Sequence, residues 1–163
     1  MQDVPRIVER AAQPYVAVRR AVSMPFGDAV PGIMDTLFHE LEAQEIQSVG
    51  PVFFKYNLIR MPDLEIEVGV PVAEGTEPGG GLAGGVLPAG RYVRSVHLGH
   101  YDELVEATGR VIDWASRNGH EWDSTMTPEG ERFASRLETY TNGPDEEPDP
   151  GKWETIIEIK VRD

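Results

Sequence analysis

An internal repeat restricts how this chain can fold more than any single motif does. Residues 14–24 are rich in β-branched side chains and read as a strand, closed by Pro25-Phe26-Gly27-Asp28. Val30, Ile33, Met34, Leu37, Phe38 and Leu41 then recur at the spacing of one helix face, and Pro31 is tolerated in the first turn. Two strands follow, residues 52–60 and 64–72, separated by Met61-Pro62-Asp63. After residue 90 the same order returns. It comprises a strand (residues 91–98), a helical stripe (Leu104, Val105, Thr108, Val111, Ile112, Ala115) ended by Asn118-Gly119, and strands at residues 136–142 and 153–161. Val30 aligns with Leu104, Leu37 with Val111, Phe38 with Ile112 and Tyr56 with Tyr140. The pattern predicts a single α+β domain of two strand–helix–strand–strand repeats, about residues 1–74 and 87–163, related by a pseudo-twofold axis. Its antiparallel sheets would carry the helices on one side and leave a ligand cleft at the seam.

Between the repeats, residues 75–86 are glycine-rich and read as a flexible linker. Gly79-Gly80-Gly81-Leu82-Ala83-Gly84 matches the spacing of a dinucleotide-binding loop. A strand follows it, however, and holding a pyrophosphate needs a helix N-terminus there. In residues 64–72, Ile66, Val68, Val70 and Val72 are expected to face the core and Glu65, Glu67 and Gly69 to face out. Residues 123–133 read as a polar loop.

The strand at residues 136–142 holds the most telling chemistry. Alternation puts Glu138 and Tyr140 on one face and Leu137 and Thr139 on the other. Aligning Tyr56 with Tyr140 sets Phe54 in the place of Glu138, so a cleft on the axis would present a ring from one repeat and a carboxylate from the other. If that face lines a pocket, the enclosed charge calls for a cation or hydrogen bonds. The chain carries 15 Lys+Arg against 28 Asp+Glu, a net charge of −13, which repels phosphate backbones and argues against nucleic-acid binding. It has no cysteine, so no thiolate metal site or disulfide is available. His39, His97, His100 and His120 do not fall into a familiar metal motif with a carboxylate, and no metal or cofactor is expected. No apolar run suits a leader or a membrane span, which points to the cytoplasm.

Several segments in this order resemble the GyrI-like small-molecule-binding family, whose module also forms the effector-binding domain of some multidrug-responsive transcription activators. They are residues 50–57, 64–72, 87–92, 111–115 and 137–144 and the final strand, nearly the whole chain. The resemblance implies a ligand pocket between the repeats in which the glutamate of the Glu-x-Tyr strand, here Glu138, meets cationic lipophilic ligands. It also implies an aromatic on the last strand, at about Trp153. Lys160 departs from it, standing where the family often has proline.

The expected binding set is therefore Glu138, Tyr140, Trp153, Trp114, Tyr56, Phe54 and Tyr92. Rings over a cation and one buried carboxylate suit amphipathic, aromatic, often cationic small molecules, bound promiscuously. Some stand-alone members of the family are hydrolases of cyclopropane-bearing DNA-alkylating compounds; here Glu138 and Tyr140 would be the catalytic pair. A third alternative is a protein inhibitor whose acidic surface meets a basic partner such as a topoisomerase. Binding and hydrolysis would use the same two residues.

Overall fold

The computed structural model describes residues 1–163. The repeat is present; each copy opens with a strand that the sequence reading did not assign, and the second also carries an added hairpin. The elements are β1 (Arg6–Arg10), β2 (Gln13–Ser23), α1 (Val30–Ala43), β3 (Phe53–Arg60), β4 (Asp63–Pro71), β5 (Ala83–Leu87), β6 (Gly90–Leu98), α2 (Leu104–Arg117), β7 (Ser124–Thr127), β8 (Gly130–Phe133), β9 (Arg136–Tyr140) and β10 (Glu154–Lys160). Both helices have 14 residues and follow a single 3-10 turn.

One continuous antiparallel sheet serves both repeats, curled into a half-barrel. Its strand order is β1-β6-β10-β9-β3-β4-β2-β5, symmetric about the β9–β3 junction. There Phe54 pairs with Glu138, flanked by Phe53 with Thr139 and Lys55 with Leu137, so the pseudo-twofold axis passes through the Phe54–Glu138 pair. The outer strands are exchanged. β1, which opens repeat one, pairs with β6 of repeat two, and β5 pairs with β2 of repeat one.

Three expectations change here. Ala83–Leu87, read from its glycines as linker, is a sheet-edge strand. Its short side chains let Tyr15 lie across it, because a Cβ at Gly85 would meet the Tyr15 hydroxyl at 2.6 Å and its ring at 2.7 Å. The polar stretch before Glu138 is not a loop but the hairpin β7–β8, which pairs onto β3.

The third concerns Glu67, which does not face solvent but is 2% exposed. Alternation places it correctly on the face away from α1, but the curl of the sheet encloses that face. Tyr15, Ala17, Phe53, Leu87, Tyr92 and Leu137 form a small core there. Glu67 accepts hydrogen bonds from Tyr15 (2.9 Å) and Asn57 (2.8 Å) and lies 3.7 Å from Lys55. Burial lowers the Lys55 pKa, against the pull of Glu67.

On the helix side, α1 packs Ile33, Leu37 and Leu41 onto Val16, Val18, Ile66, Val68 and Val70. α2 packs Leu104, Ala107, Val111 and Ala115 onto Val93, Ile157 and Ile159. Phe38 and Ile112, aligned in the two stripes, are both exposed at the helix edges. Ile59 and Tyr140 touch both helix-side cores, at the seam between them.

Candidate ligand-binding site

Glu138 lies on β9 on the helix side of the sheet, half-buried at the axis. Strand alternation brings Tyr140 to the same face, and the β9–β3 pairing brings Tyr56 beside it. Both tyrosines donate to the same carboxylate oxygen, Oε1, at 2.6 Å from Tyr140 and 2.8 Å from Tyr56. Both tyrosines are half-buried. Burial first, and the Glu138 charge second, hold both phenol pKa values well above their ordinary range. They remain hydrogen-bond donors throughout the physiological range.

The rings around this triad form a connected series. Phe54 meets Tyr140 edge-on at 4.9 Å, and Phe26 packs against Phe54 at 6.3 Å. On the other side Tyr101 meets Tyr140 at 5.5 Å and stacks on Trp153 at 4.6 Å, and His100 packs on Trp153 at 5.3 Å. Trp153 is anchored through its indole N–H to the Glu147 carbonyl (2.8 Å). Arg136 shares the strand face with Glu138 but turns to Phe133, 4.9 Å from the ring centroid. Burial works against the Arg136 charge, and Glu138 is the main group favouring it. The ion pairs of the structure join other acids, and none reaches Glu138.

Of the expected set, Glu138, Tyr140, Tyr56, Phe54 and Trp153 come together. Tyr92 and Trp114 do not. Tyr92 precedes the helix-side Val93 on β6 and so lies on the opposite face, fully buried, donating to the Pro88 carbonyl at 2.7 Å. Trp114 stacks on His120 (5.5 Å, 17° between planes) beside the N-terminal residues. Sequence reasoning missed Tyr101, His100 and Phe26, which stand on the turns before the two helices. Aromatics at matched positions just ahead of both helical stripes were the available signal. Two surface depressions, about 310 Å³ beside His120 and about 500 Å³ beside Met1–Pro5, lie elsewhere. Both are open to solvent, and neither includes an enclosed carboxylate among rings.

A model of the GyrI-like small molecule binding domain matches residues 3–162. The chain belongs to this family. No curated protein matches it. Among solved structures it is similar to the C-terminal domain of EcmrR (TM-score 0.77, 19% identity, covering 98% of this chain and 97% of that one). In an EcmrR–DNA complex the likeness has a TM-score of 0.80 at 21% identity over 98% of this chain, which spans only 57% of that EcmrR chain. It is similar as well to SAV2435 bound to tetraphenylphosphonium (TM-score 0.66, 10% identity, covering 98% and 94%). A further similar structure is a hydrolase from Listeria innocua (TM-score 0.63, 12% identity, covering 97% and 91%). At these identities the likeness establishes the GyrI-like fold, a curled antiparallel sheet with two helices.

The burial of the tyrosines also fixes a pH dependence. All five tyrosines, Tyr15, Tyr56, Tyr92, Tyr101 and Tyr140, have pKa values raised, in each case by burial first. A raised folded-state value means that above about pH 10 the unfolded chain loses phenol protons while the folded chain keeps them. The tyrosine contribution to stability is thus intact below pH 10 and falls above it. Ultraviolet titration should show most of the tyrosinate appearing together with loss of the folded circular dichroism. Several phenols ionising near pH 10 in an intact fold would contradict this.

Proposed function

We propose that this GyrI-like domain binds amphipathic, aromatic, cationic small molecules at the seam of its repeats. Glu138 is the counter-charge, and Phe54, Tyr56, Tyr101, Tyr140 and Trp153 are the walls. One observation carries the reading: the Glu138 carboxylate is set among rings and held by two phenols, with no lysine or arginine within ion-pair distance. A bound cation gains Coulomb attraction to the carboxylate and contact with ring faces, each ring worth about 0.5–2 kcal/mol. The tetraphenylphosphonium of SAV2435 is a ligand of this class and supports the reading. Rings placed by packing, with few strict hydrogen-bonding demands, favour breadth over selectivity, in keeping with a sequestering or drug-protection role. The decisive experiment is titration of tetraphenylphosphonium against wild type and Glu138→Gln.

A second reading has its own support. The 2.6 Å contact between Tyr140 and Glu138 pairs a base with a phenol held protonated, which suits opening of a strained, cyclopropane-bearing electrophile. In this reading Glu138 positions or deprotonates the attacking water while a phenol hydroxyl assists the leaving carbon framework. If it holds, Tyr140→Phe should lower turnover of a cyclopropane-bearing substrate by roughly 10²–10⁴-fold while substrate binding persists. Absence of turnover in wild type removes the reading and leaves binding.

A further inference from the structure

Next to the aromatic site, the sheet carries two polar side chains that nothing in the protein satisfies. Thr155 is fully buried and His97 is 1% exposed, yet the Thr155 hydroxyl and both His97 ring nitrogens lack hydrogen-bond partners. The acid nearest to His97, Glu103, has Oε1 3.9 Å from Nε2, beyond hydrogen-bonding distance. The two residues are neighbours. Thr155 pairs with His97 across β10–β6 and with Tyr140 across β10–β9. His97, Thr155 and Tyr140 therefore form one row across the helix side of the sheet, ending at the ring whose hydroxyl holds Glu138. Tyr101 packs against Tyr140 and Trp153, the residues flanking Thr155 on this face, and so roofs the row.

The other repeat shows that the fold does not require this polarity. By the strand registers, Ile66 occupies the place of Thr155 and Arg20 that of His97. Ile66 is fully buried in an apolar core, and Arg20 is exposed. Orphaned polar groups inside a protein are unfavourable and rare, and those that persist call for an explanation.

We propose that Thr155 and His97 form a polar subsite of the ligand site, taking a neutral hydroxyl, carbonyl or amide group on a ligand whose cation lies at Glu138. This rests on the binding reading above. A threonine hydroxyl can both donate and accept, and the imidazole nitrogens add further polar contacts, so the subsite suits a hydroxyl best. Strand spacing puts the Cα of Thr155 about 8 Å from that of Glu138, and that of His97 about 12 Å away. The ligand class is narrowed accordingly, to aromatic cations bearing a hydrogen-bonding group about one to two ring lengths from the charge. Tyr101, on a short turn, moves aside to admit that end.

The test compares tetraphenylphosphonium with two hydroxyl-bearing analogues, (4-hydroxyphenyl)triphenylphosphonium and its 4′-hydroxybiphenyl homologue, by calorimetric titration. Wild type should prefer at least one hydroxyl probe by roughly three- to tenfold. Thr155→Val should bring that ratio close to one, and Thr155→Ser should restore it. Thr155→Val should also unfold no lower than wild type, since the hydroxyl it removes has no partner. A preference that survives Thr155→Val, or no preference for either hydroxyl probe, overturns the proposal. So does a lowered unfolding temperature in Thr155→Val, which would show that the hydroxyl is already satisfied. Failure of tetraphenylphosphonium itself to bind would instead remove the underlying reading.

Discussion

Glu138→Gln is expected to weaken tetraphenylphosphonium binding at least tenfold. At about 5 Å and an effective dielectric near 20, a carboxylate attracts a monocation by about 3 kcal/mol. Glu138 is half-buried, so solvent reduces this to about 1.4–2 kcal/mol, or roughly ten- to thirtyfold in affinity. The substitution is chosen to remove charge and little else. The glutamine carbonyl oxygen still accepts from Tyr56 and Tyr140, so the ring arrangement should survive. Triphenylphosphine oxide, a neutral ligand of similar shape, serves as the control and should bind wild type and variant alike. Equal losses for both ligands would mean that the carboxylate shapes the site without attracting charge. No loss for the phosphonium would remove Glu138 from the function altogether.

The largest stability effect is expected on the other face of the sheet, at Lys55. Lys55→Met leaves Glu67 buried without its closest cation, and breaking a buried pair in this way typically costs 3–5 kcal/mol. The lower end, about 3 kcal/mol, is expected because Tyr15 and Asn57 still donate to the carboxylate and Arg19 lies 3.9 Å away. Denaturant unfolding measures it directly. The double variant Lys55→Met/Glu67→Gln should recover most of the loss, since a neutral amide accepts the same two hydrogen bonds and leaves no unpaired charge. If Lys55→Met is neutral, the cluster is wetter than its burial implies.

How much of this was legible in sequence depended on whether a feature is local. Hydrophobic spacing marked both helices and the strands beside them. Aligning Tyr56 with Tyr140 matched Phe54 to Glu138, the two residues that meet on the axis. Alternation alone put Glu138 and Tyr140 on one face. What failed was curvature. Glu67 and Tyr92 sit where alternation puts them, but no sequence pattern announces that the sheet bends far enough to enclose that face. Ala83–Leu87 hid because a strand whose glycines let a tyrosine lie flat on it looks like a linker. Trp114 was included on residue type, without regard to which end of its helix faces the seam. Tyr101 and His100 escaped because their signal, aromatics matched just ahead of the two helical stripes, lies outside the periodic segments, although they complete one side of the aromatic wall.

The exchange of β1 and β5 has a mechanical consequence. Each lobe's rim is stitched from the other lobe's chain, and a single ladder of backbone bonds runs across the midline. The molecule therefore has no hinge at its centre and does not clamp on a guest like a jaw. Any adjustment to a guest falls to side-chain rings and turns, over a floor that stays put.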